Sequence, residues 1–157
     1  RIGGQKGETM QRVTLPNNVL LPEIIHLLKE GDTVIIKVKE NSMLPFITGE
    51  HDSVVLQAAN ISKLTIGDIV LATLDDSRYV LHRIIAMRHG YITLMGDGNL
   101  YDKEICTEEA IAGQAIRIIK REKIIDCTAP AQRRKAAVWK ALLPIRRYLL
   151  GIYKQIN

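Results

Sequence analysis

Three side chains of this 157-residue sequence have the types a hydrolase needs, each placed at or beside an extended run. Ser42 follows the apolar-alternating stretch 33–39 and precedes Met43-Leu44-Pro45, where the proline keeps the serine out of regular structure. His82 sits within 79–85, sharing a strand face with Val80 and Ile84. Asp97 stands between two glycines in Gly96-Asp97-Gly98-Asn99, just after the apolar run 91–95. A serine hydroxyl is a weak nucleophile until a base takes its proton, and imidazole, ordinarily titrating near about 6.5, can do so at neutral pH. A carboxylate on the far ring nitrogen would hold that base in place. Each residue also has a plain structural reading. A histidine among apolar strand neighbours is often a satisfied core residue, and a Gly-Asp-Gly-Asn stretch is often simply a turn.

The elements that must position these groups are mostly strands. Residues 33–39, 53–56, 69–74, 79–85, 91–95, 111–119 and 124–125 read as seven or so short strands, broken by Gly49-Glu50-His51-Asp52, Gly67-Asp68, Asp75-Asp76-Ser77 and Gly90. Ahead of them a helix is predicted over 19–29, with Asn17 and Asn18 as caps, Pro22 in the first turn and Gly31 past the end. The expected fold is therefore mostly β, an antiparallel, coiled and partly open body over 33–126 with a short N-terminal helix. Residues 1–11 read as a flexible start and 12–128 as a single domain. With 46% hydrophobic but only 4% aromatic residues, its core must come mainly from Ile, Leu and Val.

The net charge of +5 belongs to the tail. From Pro130 onward there are seven Lys/Arg and no acid, whereas the rest of the chain holds 15 basic against 17 acidic side chains. Such a body gives no support to a nucleic-acid surface. Cys106 and Cys127 show neither metal-ligand nor disulfide-framework spacing, and His26, His51, His82 and His89 show no ligand spacing either, so no metal or other cofactor is expected. No apolar run reaches the roughly 18–20 residues of a spanning helix and no signal peptide is recognisable, which points to a cytoplasmic or peripherally membrane-associated protein.

The tail, 130–157, reads as a basic amphipathic helix that Pro144 kinks or restarts. Val138, Leu142, Ile145, Leu149, Ile152 and Ile156 share one face, and Arg133, Lys140, Arg147 and Lys154 lie roughly opposite. Such a helix can lie on an anionic membrane. Packing of the apolar stripe on the body, or on a second copy, is the commoner fate and is the expectation here. Oligomeric state is not legible.

In order, N-S-M-L-P (41–45), G-D-I-V (67–70), L-H-R-I-I (81–85) and M-G-D-G-N (95–99) resemble the boxes of the type I signal peptidase superfamily, which also holds the self-cleaving SOS repressors. The resemblance runs from about Val34 to Ile119 and implies a peptidase whose nucleophile is Ser42. His82 falls where most bacterial members carry a lysine base, which is similar to the archaeal and endoplasmic-reticulum Ser-His-Asp type. Asp97 matches the aspartate of the last box, and Asp102 is a second candidate orienter. Two departures stand out. Asn41 replaces the usual glycine before the nucleophile, as a residue that tolerates left-handed angles, and Glu40 replaces a hydroxyl that helps the oxyanion hole, leaving the Ser42 N–H as main donor.

The resulting expectation is a serine endopeptidase cleaving an extended, leader-like segment of a peptide or protein substrate, with small residues before the cut. A catalytically inactive peptide-binding or membrane-docking β module is the alternative. A self-cleaving repressor is less favoured, since little chain precedes the body and no basic recognition helix is visible.

Overall fold

The computed structural model describes residues 10–14, 20–75 and 77–156. Helix α1 (Leu20–Lys29) forms as expected, while Asn17, Asn18 and Val19 lie outside the described residues. It ends where Gly31 adopts φ 90°, so that the N–H groups of Gly31 and Asp32 return to the carbonyls of Leu28 and Leu27, both at 3.0 Å. That paired return is the left-handed glycine cap. Leu21, Ile24 and Leu28 are its buried face. Leu28 sits so close to Gly113 that a Cβ there would come within 2.8 Å of its side chain. Replacing Leu28 by alanine would cost roughly 2–5 kcal/mol.

The strands are β1 (Met10–Thr14), β2 (Thr33–Lys37), β3 (Ser53–Ala58), β4 (Ile69–Thr73), β5 (Tyr79–Arg88), β6 (Tyr91–Met95), β7 (Glu104–Thr107), β8 (Ile111–Ile119) and β9 (Ile124–Asp126). They make one open sheet in the order β1-β2-β3-β8-β4-β5-β6-β7, with β9 on β8. Among the described residues, only the β1–β2 pairing is parallel, and every other pairing is antiparallel. Two strands were not expected. β1 pairs Met10 and Gln11, part of the stretch read as a flexible start, with Thr33 and Val34. β7 adds an edge strand beyond β6.

β4 is buried on both faces and so divides the interior. Ile69 and Leu71 join Leu21, Ile24, Leu28, Val34, Ile36, Val54 and Leu56 under α1. Val70 and Ala72 join Ile84, Ile92, Leu94, Cys106 and Ile111 on the other side. This two-sided burial explains why 69–72 is a continuous apolar run rather than an alternating one.

The tail forms α2 (Pro130–Ala141), a 3₁₀ turn (Leu143–Ile145) around Pro144, and α3 (Arg146–Ile156). The expected packing of its apolar stripe on the body is not what happens. Val138, Ile145, Ile152 and Ile156 are exposed, and Ala136, Arg146 and Leu150 are buried instead. Polar contacts decide the side. Arg133, expected on the solvated basic face, donates to Asp68 at 2.7 Å, and Trp139 Nε1 donates to the Asp97 carbonyl at 2.8 Å. Among the described residues, no helix is long and apolar enough to cross a membrane.

Candidate active site

Past β2 the chain leaves the sheet at Val38 and enters a series of turns through 41–50. The carbonyl of Met43 accepts the N–H groups of Phe46 and Ile47, each at 3.0 Å. Met43 and Ile47 are fully buried in the α1-side core, which anchors the turn on both sides of Pro45. Asn41 does not take the left-handed backbone that its type suggested. It is absent from the positive-φ positions, and its side-chain oxygen accepts the Gly49 N–H at 2.9 Å. Gly49 is needed there because a Cβ would lie 2.5 Å from the Glu40 carbonyl. Ser42 is left half-buried at the surface of this turn.

His82 is carried by β5 and is 6% exposed, so its ring is fixed by its surroundings. Its Nε2 lies 3.2 Å from Ser42 Oγ, and its Nδ1 lies 3.0 Å from Glu104 Oε2. With the proton on Nδ1, the ring donates to Glu104 and presents Nε2 as the acceptor for the serine hydroxyl. Glu104 reaches this point through sheet register. Leu94 on β6 is opposite both Ile84 of β5 and Glu104 of β7, and His82 shares the Ile84 face two residues back.

The two aspartates expected as orienters are placed otherwise. Asp97 is 3% exposed and accepts from Arg83 twice, at 2.8 Å from Nε and 2.7 Å from Nη2. Arg83 also donates to the Gly67 carbonyl at 2.7 Å and lies 4.8 Å over the Phe46 ring. The fork geometry occupies both carboxylate oxygens, so Asp97 is unavailable to His82. Asp102 lines the cleft beside His82 but makes no hydrogen bond to it.

The glycine-framed turn has a different task, pressing its backbone against the nucleophile. The Gly98 N–H donates to the Ser42 carbonyl at 2.8 Å. A Cβ at Gly96 would come within 2.4 Å of that carbonyl and 3.1 Å of His82 Nε2, and one at Gly98 within 2.8 Å of the Asn41 carbonyl. The tail closes over the turn from outside. Trp139 holds the Asp97 carbonyl, and Arg146 donates to the Asn99 carbonyl at 3.1 Å while stacking 5.1 Å over Trp139. Burial pushes the Arg146 guanidinium below its ordinary value, with the Asp97 charge opposing that shift.

Sequence reasoning thus missed Glu104, Trp139 and Arg146. The stretch Glu104-Ile105-Cys106-Thr107 is only four residues long, too short an alternation to stand out as a strand. Trp139, the sole tryptophan, lay unused within the tail.

Beside Ser42 is a cavity of about 80 Å³ lined mainly by Leu21, Val38, Met43, Leu71, Tyr79 and Leu81, with Lys39 and Glu40 also on its wall. A wider cleft of about 580 Å³ runs past Ser42, His82 and Glu104, with Glu40, Arg78 and Asp102 along it. Glu40 is exposed and its carboxylate makes no hydrogen bond among the described residues. The Ser42 N–H likewise makes none among them. No group of His, Cys, Asp and Glu among the described residues is arranged to hold a metal ion.

Residues 4–121, about three quarters of the chain, match the model of the Peptidase S24-like family. The matched span contains Ser42, His82, Asp97 and Glu104 and stops before α2. No curated protein matches the chain.

Proposed function

The chain belongs to the Peptidase S24-like family, and from that premise we propose that it is a serine endopeptidase of the histidine-based signal-peptidase type. The observation that carries this reading is the continuous chain Ser42 Oγ–His82–Glu104, at 3.2 and 3.0 Å. As Ser42 Oγ bonds to the scissile carbonyl carbon, its proton passes to His82 Nε2. The oxygen charge that develops is received by the Ser42 N–H, which has no other partner among the described residues. The C–N bond then breaks, His82 returns the proton to the leaving amine, and an acyl-enzyme remains. Water attacks that ester by the same proton transfers in reverse. Glu104 fixes the productive tautomer and favours the imidazolium in both halves.

Substrate form follows from the sheet. β5 pairs with β4 from Tyr79 to Arg83, but with β6 only from Arg83 onward, so the β6-facing side of Tyr79–Leu81 is open beside the cleft. An extended segment can add there as a strand. The cavity of about 80 Å³ beside Ser42 suits a small apolar side chain before the cut. A leader-like segment of a peptide or protein has those features.

Glu40 favours a second reading, a peptide-binding module without turnover, because an uncompensated carboxylate beside the oxyanion site opposes the transition state. Incubation of a diverse unstructured peptide pool with wild type, Ser42→Ala and His82→Ala, with products read by mass spectrometry, separates the two. The peptidase reading expects cuts after small residues, lost in both variants. Peptide binding without cleavage by wild type would establish the module instead.

A further inference from the structure

We infer that the outer face of α2, with the β9 edge beside it, docks on an anionic lipid surface. This rests on a part of the molecule that catalysis does not use. A surface groove of about 500 Å³ has an apolar floor that includes Pro45, Ile125, Val138 and Leu142, and a rim of Lys120, Lys123, Arg134 and Lys135. Among the described residues, no acidic side chain lines it. Lys120 is paired with Asp52 at 2.5 Å, but Lys123, Arg134 and Lys135 have no acidic partner among the described residues. Beyond the groove the apolar stripe continues in the open, with Ile145 at 46%, Ile152 at 55% and Ile156 at 75% exposed.

Charge and shape select the occupant. Residues 130–157 hold seven Lys/Arg and no acid, so the complementary surface is anionic. A bound acidic peptide would fill the groove yet leave Ile145, Ile152 and Ile156 in water, whereas a lipid surface is broad enough to take up the stripe as well. The stripe and the rim together supply apolar burial and headgroup attraction, the two contributions that interfacial binding sums. Trp139 forms part of the groove wall, and Pro45 of the nucleophile turn lines the same groove, so docking would seat that turn close to the lipid.

The test is co-sedimentation of the full chain with phosphatidylcholine vesicles, with and without phosphatidylglycerol, alongside Trp139 emission. Binding is expected only to the anionic vesicles, weakened by salt, with a blue shift of emission. Arg134→Glu combined with Lys135→Glu should weaken it about tenfold or more, and Val138→Asp combined with Ile152→Asp should abolish it. Arg88→Glu, on the far end of β5, should leave it unchanged. Circular dichroism on each variant ensures that loss of binding is not loss of fold. Equal binding to neutral vesicles, equal weakening by Arg88→Glu, no vesicle binding at all, or capture of polyglutamate in preference to vesicles would each overturn the inference.

Discussion

Asp97 and Glu104 are carboxylates seven residues apart, and the sheet gives them opposite duties. Asp97 sits in a glycine turn, both oxygens taken by Arg83, with the tail closed over its carbonyl. Glu104 begins an edge strand and offers one oxygen to His82 beside an open cleft. A buried carboxylate fully claimed by a guanidinium is structural equipment, and removal of one partner leaves an uncompensated charge. A carboxylate on an imidazole whose other nitrogen faces a hydroxyl is equipment for moving a proton. Position in a family box therefore does not decide which acid serves the histidine. What decides is which acid the strand register delivers.

That contrast is open to direct attack. The largest expected effect is on turnover. Glu104→Ala should lower kcat by about 10³-fold or more, while its melting temperature stays within a few degrees of wild type. Next comes a stability effect with the opposite signature. Asp97→Ala should lose about 3–5 kcal/mol in urea unfolding because Arg83 is left buried and unpaired. Pairing it with Arg83→Met should recover much of that loss.

A smaller effect sharpens the view of the core behind the site. Both cysteines are free, and burial is the main cause pushing the Cys127 thiol up to about 11. In the unfolded chain the thiol ionises near its ordinary 9.0. Between those values the unfolded state sheds a proton that the folded state keeps, so stability is full below about 9 and falls as pH rises toward 11. Unfolding measured across that window should show the decline, and Cys127→Ala should reduce it to the part due to Cys106, whose thiol burial also pushes up. The smallest effect belongs to Asp102. It is exposed and bonds to nothing at the site, so Asp102→Ala should shift stability by less than about 0.5 kcal/mol and leave kcat nearly unchanged.

Much of this arrangement was legible in the residues. Alternation marked β2 and β5, Pro45 marked the break at Ser42, and the lone strand histidine proved to face that serine at 3.2 Å. Glu104 was hidden because β7 is only four residues long and opens on a charged residue that itself follows Lys103. Its contact with His82 also depends on the register of three strands, which no local pattern encodes. The tail failed differently. Its apolar period was readable, but the face that packs was chosen by Arg133, Trp139 and Arg146, whose acceptors Asp68, Asp97 and Asn99 lie far away in sequence. Apolar periodicity locates a stripe. It does not say that the stripe is the side turned inward.

The most direct measurement is the rate of acylation by a serine-reactive phosphonate, followed by intact mass for wild type, Glu104→Gln and Asp97→Asn, each taken at a temperature where it is folded. The account predicts a single adduct on Ser42 in wild type, severe slowing in Glu104→Gln, and a rate in folded Asp97→Asn within a few-fold of wild type. Severe slowing in Asp97→Asn with Glu104→Gln unaffected would contradict it, and would return the orienting role to the glycine turn.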